Sequence, residues 1–196
     1  MKVFLDMDGV VADFTAGMCA AVGLPFSNQP YLFPRGLWDY VDWLDRVHHV
    51  NWLDVELACS SEDFWADLPA LPKADQLYNY LNTRHGVRFL TTPTGDTMVC
   101  FGGKRRWLET RGWAVPHDKR MVLLEHGETK EEYARPDIVL LDDQDKNVQD
   151  FRHGGGQAIL VPRPWNNRYR ECRGLNAFEA FGNANRLVVE ELQEMY

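Results

Sequence analysis

The chain has 196 residues, enough for one core domain with an insertion, and carries a net charge of −8. A chain of this length buries roughly 70% of its unfolded surface and needs no disulfide or metal staple. The acidic excess lies wholly in residues 1–75, with residues 76–196 neutral, which argues against a nucleic-acid polymer as partner. Cys19, Cys59, Cys100 and Cys172 are scattered without a Cys-x-x-Cys pair and read as small core residues in a reducing compartment. No apolar run has membrane-spanning length and no signal-peptide pattern is seen, so the expectation is a soluble, cytoplasmic protein with no membrane partner.

In chain order, Val3–Leu5 reads as a short buried strand that ends in Asp6-Met7-Asp8-Gly9. Two carboxylates delivered so close together repel unless a cation or shared proton compensates. Mg²⁺ is the natural partner for hard oxygen ligands. An Ala-rich helix is expected over Val10–Val22, stopping at Gly23. Residues 24–70 then break the pattern. They hold four of the seven tryptophans and Pro25, Pro30, Pro34 and Pro69, with helical stretches near Leu37–His48 and Ser61–Asp67.

From residue 71 onward, helices and strands alternate. Helices are expected over Lys73–Arg84, from Asp96 toward Arg111-Gly112, over Asp145–His153 and over Ala177–Tyr196. Buried strands are expected at Val87–Leu90, Met121–Leu124, Ile138–Leu141 and Ala158–Val161. The alternation predicts an α/β fold, a doubly wound, Rossmann-like parallel sheet, with residues 1–23 and 71–196 as the core and 24–70 as a small helical cap. In such sheets ligands bind at the carboxyl ends of the strands. The residues there are Asp6 and Asp8, Thr91 and Thr92, and Asp142 and Asp143.

With Lys104 and Lys130, these residue types suit phosphoryl transfer to a carboxylate. One aspartate attacks phosphorus, a second donates and accepts the proton, and a metal neutralises phosphate oxygens. A hydroxyl and an ammonium hold the remaining oxygens. For either lysine a solvated surface position is the alternative.

Asp-Met-Asp-Gly-Val, Phe-Leu-Thr-Thr, a lysine and Val-Leu-Leu-Asp-Asp, in that order, resemble the haloacid dehalogenase superfamily over residues 2 to about 161. The resemblance implies Asp6 as nucleophile, Asp8 as acid/base, and Thr91 as the phosphate-binding hydroxyl with Thr92 as a helper. It implies Mg²⁺ held by Asp6, the Asp8 main-chain carbonyl and the Asp142-Asp143 pair. Lys130 looks like the family's motif lysine, and Lys104 is a second phosphate-binding candidate. The order excludes response-regulator receivers, in which the acidic pair comes first and the lysine last. Ala12-Asp13-Phe14, Thr91-Thr92-Pro93, Lys104-x-x-Trp107 and an insertion after the first helix further resemble the 5′(3′)-deoxyribonucleotidase group.

That likeness implies a phosphatase of (deoxy)nucleoside 5′-monophosphates, with a small phosphorylated substrate as partner and a homodimer allowed. A phosphatase of a sugar or other metabolite phosphate is the alternative, and a non-catalytic metal- or phosphate-binding module the alternative of another class. Residues 24–68 hold nine of the 24 aromatic residues. Aromatic faces hold a nucleobase well, although the core of a small helical unit needs the same side chains. Trp38, Phe64 and Trp65 resemble positions that line the family's base pocket. Asp13 is as readily structural as functional. His153 to Gly156 reads as a helix end, and the arginine-rich stretch Arg163–Arg173 as a solvated loop.

Overall fold

Five short aliphatic runs form five parallel strands in a computed structural model of the chain, which describes residues 2–24, 36, 38, 40–113, 121–125, 127–172 and 177–195. They are β1 (Lys2–Leu5), β2 (Val87–Thr91), β3 (Met121–Leu123), β4 (Ile138–Asp142) and β5 (Gln157–Leu160). The sheet order is β3-β2-β1-β4-β5. The chain therefore builds outward from β1 on one side, then returns to add β4 and β5 on the other. This reversal beside β1 is where an open parallel sheet leaves a crevice at its carboxyl end. The register pairs Leu5 with both Phe89 and Leu141, so Asp6 and Asp142 leave the sheet at the same level. Strands β1 and β4 are buried almost throughout, as a sheet covered on both faces requires.

Eight helices are named among the described residues: α1 (Phe14–Ala21), α2 (Tyr40–His48), α3 (Trp52–Ala58), α4 (Glu62–Ala66), α5 (Ala74–His85), α6 (Thr97–Thr110), α7 (Asp145–His153) and α8 (Ala177–Glu194). Asp96 caps α6 by accepting from the Met98 and Val99 amides, and α7 runs to His153 with Gly154 as its cap.

Two expectations shift. The first helix starts at Phe14 instead of Val10, because the Met7 carbonyl draws in the amides of Val10, Val11 and Ala12 as a tight loop. Helix α3 has no counterpart among the predicted elements, although Asn51 and Asp54 form a reciprocal capping box at its start, a signal written in the sequence. The described part of residues 24–70 contributes α2, α3 and α4 and no strand to the sheet. Its far end runs beside the loop between β1 and α1, the Asp13 amide donating to the Pro69 carbonyl and the Leu71 amide to that of Val11, both at 2.8 Å. Pro25, Pro30, Pro34, Arg35 and Leu37 lie outside the described residues.

Helix α4 docks on α6 at two consecutive glycines. A Cβ on Gly103 would sit 2.4 Å from both the Glu62 carbonyl oxygen and Trp65 Cβ, whereas one on Gly102 would meet the end of the Glu62 side chain. A flexible carboxylate can move and a helix backbone cannot. Gly102→Ala is therefore expected to be neutral or to stabilise by up to about 1 kcal/mol through helix propensity. Gly103→Ala should destabilise by about 1–3 kcal/mol through overpacking. Urea midpoints of the two variants check the contrast.

Asp13 is the N-cap of α1, accepting from the Ala16 amide at 2.9 Å. It is buried, and that burial, only partly offset by the Ala16 amide and Arg163, pushes its carboxyl up to about 6. A raised folded-state value favours the protonated acid, so Asp13 supports folding fully below about pH 4 and loses that support as pH rises through about 6. The loss is about 3 kcal/mol at 1.36 kcal/mol per unit. Asparagine caps as well as aspartate, so Asp13→Asn should gain stability relative to the parent between pH 4 and pH 7. Paired denaturation curves at the two pH values measure this, and parallel behaviour of both proteins would rule it out.

Cys19, Cys59 and Cys100 are buried free thiols, and burial pushes those of Cys19 and Cys59 up to about 12. They pack as small apolar groups, as their scatter along the chain suggests. No described helix is long and apolar enough to cross a membrane.

Candidate active site

Asp6, Asp8, Thr91, Thr92, Lys130 and Asp143 all line one cavity of about 400 Å³ at the carboxyl end of the sheet. That size falls in the usual range for small-molecule sites, about 300–1,000 Å³. Asp6 follows β1 directly, with its amide held by the Leu141 carbonyl at 3.0 Å, so its position is fixed by the ladder to β4. Thr91 is the last residue of β2, and Asp142 the last of β4.

Each lysine serves a different acid. Lys130, in a 3₁₀ turn over Lys130–Tyr133, is buried with its Nζ 2.6 Å from Asp142 Oδ2 and 2.9 Å from Asp6 Oδ1. Lys104 lies on the buried face of α6. Its Nζ donates to Asp8 Oδ2 at 2.6 Å, Thr91 Oγ1 at 2.8 Å and the Thr92 carbonyl at 3.0 Å. Neither is a solvated surface lysine. Burial alone would lower both ammonium groups, but Asp8 and Asp142 more than reverse this, leaving Lys104 and Lys130 raised and charged.

The acids are pushed the other way. Burial raises Asp8, opposed by Lys104 and reinforced by Asp6. Burial raises Asp142, opposed chiefly by Lys130. Asp143 is raised furthest, by burial and then by the Asp142 and Asp6 carboxylates, against the Trp165 N–H and Arg163. Asp6, Asp142 and Asp143 each offer an oxygen within 4.8 Å of the others, all buried. Counting Asp8 as well, four acids converge on two lysines. With Arg163 as the third buried cation near Asp143, acids still outnumber cations, and this excess with an all-oxygen donor set fits a divalent hard cation.

Gly9 is required by this crowding. Its φ is +69°, and a Cβ there would lie 1.9 Å from Asp143 Oδ2. A left-handed backbone and a carboxylate at that distance admit no other residue without rearrangement.

The aromatic expectations divide. Trp38 lines the cavity, together with Trp52, Phe14 and Val41. Phe64 and Trp65 are not among its lining residues. Trp65 is fully buried, donates its indole N–H to the Cys59 carbonyl at 2.9 Å, and stacks on Phe14. Its ring also lies 5.0 Å from Lys104 Nζ. Instead of lining the cavity, it packs beside the buried Lys104, because α4 is drawn tight against α6 by the paired glycines.

Several contributors carry no signal in the sequence. Asn147, in the first turn of α7, donates to both oxygens of Asp142 at 3.1–3.2 Å. The arginine-rich stretch is not solvated where it begins, since Arg163, Trp165 and Asn166 are all buried. Trp165 donates to Asp143 Oδ2 at 2.7 Å. Nothing local distinguishes these residues from a polar loop, because their partners lie about 20 to 150 positions away in the chain.

The model of the family described as 5′ nucleotidase, deoxy (pyrimidine), cytosolic type C protein matches residues 1–190. The chain belongs to this family. It is accordingly an enzyme of the phosphatase type, with a small phosphorylated substrate. Comparison with curated proteins finds no significant match. Among solved structures, a haloacid dehalogenase-like family protein from Streptococcus pneumoniae superposes with TM-score 0.52 at 13% identity, covering 92% of this chain and 90% of the other. The magnesium-bound HAD-hydrolase YfnB of Bacillus subtilis gives TM-score 0.51 at 13% identity, over 82% and 87%. A protein from Lactobacillus delbrueckii assigned as a phosphoglycolate phosphatase gives 0.50 at 14%, over 93% and 97%. At such identities the likeness establishes the fold, a haloacid dehalogenase-type α/β sheet, and the nucleotidase family membership rests on the sequence match.

Proposed function

We propose that this nucleotidase-family protein is a Mg²⁺-dependent phosphatase of (deoxy)nucleoside 5′-monophosphates, acting through an aspartyl-phosphate on Asp6. The observation that carries the reading is the division of the lysines, Lys130 on Asp6 and Lys104 on Asp8, at one cavity. It gives the two acids of Asp6-x-Asp8 separate environments and hence separate roles.

Asp6, paired with Lys130, attacks phosphorus, forming an acyl-phosphate as the bond to the sugar 5′ oxygen breaks. Asp8, raised by burial, supplies the proton that the leaving oxygen takes. In the second half, Asp8 takes a proton from water as that water attacks phosphorus, releasing inorganic phosphate and restoring the Asp6 carboxylate. Thr91, Thr92 and Lys130 line the cavity and in this reading hold phosphate oxygens, while Lys104, which does not line it, orients Asp8 and Thr91 from behind. Asp6, Asp142, Asp143 and the main-chain carbonyl of Asp8 would hold Mg²⁺. The ion's chemistry is to neutralise phosphate oxygens as charge shifts between attacking and leaving groups.

The nucleotide is supported by the family and by the cavity wall. Trp38, Trp52 and Phe14 face the same space as the acids, an arrangement suited to a flat base above a phosphate subsite. In this reading residues 24–70 are the cap that carries the base-side wall. A phosphate-release panel of nucleoside 5′-monophosphates and sugar phosphates, with Mg²⁺ and with EDTA, tests both parts. The expected result is a nucleotide preference and at least about 100-fold loss in EDTA. Preference for sugar phosphates would overturn the substrate assignment, and equal rates in EDTA the metal.

A further inference from the structure

We propose that Trp165 is a positioning residue for the metal, its indole N–H fixing one oxygen of Asp143 so that the carboxylate presents the other in a single orientation. The inference rests on the reading of Asp6, Asp142 and Asp143 as the cation's ligands.

The segment after β5 grips both walls of the acidic cluster. On one wall, Trp165 Nε1 donates to Asp143 Oδ2 at 2.7 Å, and Asn166 Nδ2 donates to the Asp143 main-chain carbonyl at 2.8 Å. Asn166 also ties this segment to its own strand end through the Val161 carbonyl, at 2.8 Å. On the other wall, Arg163 Nε donates to the Gly9 carbonyl and Nη2 to that of Val10, the latter at 3.3 Å. Gly9 and Asp143 meet between these grips, with no room for a Cβ. One four-residue stretch thereby sets the distance between the loop that carries Asp8 and the carboxylate of Asp143.

Burial, Asp142 and Asp6 raise the Asp143 carboxyl against the Trp165 N–H and Arg163, and the neutral indole brings no charge of its own. What it supplies is direction. A monodentate ligand must offer one oxygen at a fixed angle, and octahedral Mg²⁺ tolerates little deviation. Hydrogen bonds to the non-ligating atoms of metal ligands do this elsewhere, and their loss costs about 10–100-fold in metal affinity.

Trp165→Phe keeps an aromatic ring and removes the N–H. Isothermal titration of Mg²⁺ into the folded variant, checked by circular dichroism, is expected to show a Kd raised about 10–100-fold. At saturating Mg²⁺ the substrate KM should change far less than this. Trp165→His, which restores a ring N–H, should recover part of the affinity. An unchanged Mg²⁺ Kd in Trp165→Phe would overturn the proposal. If Trp165→Phe does not fold, Trp165→Met, which also lacks the N–H, decides by the same criterion: a Mg²⁺ Kd raised about 10–100-fold supports the proposal and an unchanged Kd overturns it. A parent protein that binds no Mg²⁺ removes the metal reading and this inference together. A parent that binds Mg²⁺ but releases no phosphate removes only the proposed catalysis.

Discussion

Asp6→Asn should lower kcat/KM for a nucleoside monophosphate by at least about 10⁴-fold, the scale on which loss of a covalent nucleophile is felt. The amide is nearly isosteric, and the neighbouring acids are each engaged elsewhere: Asp142 by Lys130 and the Gln144 amide, Asp8 by Lys104 and Asp143 by the Trp165 N–H. Stability should move the other way. Asp6 and Asp142 share Lys130, and both repel Asp143, so removing one charge relieves repulsion while Lys130 keeps its 2.6 Å contact with Asp142. The melting temperature of Asp6→Asn should equal or exceed that of the parent without metal. Turnover at the parent rate would rule out Asp6 as nucleophile.

Lys130→Met should be the most destabilising single change in the site. Lys130 is buried against two carboxylates, and taking away one partner of a buried ion pair costs about 3–5 kcal/mol. In a chain of this size each kcal/mol shifts the melting temperature by about 2–4 °C, so a fall of roughly 6–20 °C is expected. Methionine fills much of the space, which assigns the loss to charge. Because the uncompensated acids are those that would hold the cation, added Mg²⁺ should recover part of the fall by binding the folded state. A melting temperature within about 2 °C of the parent would show that the cluster does not depend on this ammonium.

Much of this site is legible in the amino-acid sequence, for a physical reason. A parallel sheet fixes which end of each strand faces the ligand, so the polar residues that end apolar runs are candidates by position alone. Asp6, Thr91 and Asp142 are legible in this way. The lysines are harder, because Lys104 lies on a helix and Lys130 in a 3₁₀ turn, where sequence does not say which face is buried. Trp65 departs from its expected place for a related reason. An aromatic residue in the helical segment can face a cavity or a neighbouring helix, and here Gly102 and Gly103 on α6 decide for the helix. Trp165 and Arg163 are hidden in a run of arginines whose later described members, Arg168 and Arg170, are not buried. What identifies these two residues is a set of partners near the chain's start and after β4, and a single sequence does not display pairings at that separation.

In the proposed reaction phosphate passes through a covalent bond to Asp6, and that bond can be trapped. Asp8→Asn slows both proton delivery to a sugar oxygen and release of the acyl-phosphate, so a phosphomonoester whose leaving group needs no proton isolates the second step; Lys104 keeps Thr91 Oγ1 and the Thr92 carbonyl as partners. Acid-quenching this variant during turnover of p-nitrophenyl phosphate with Mg²⁺, followed by peptide mass spectrometry, should find one added phosphoryl group on the peptide holding Asp6. The same treatment of Asp6→Asn should find none. A phosphoryl group on another residue, or turnover with no labelled peptide in any quench, would contradict the account.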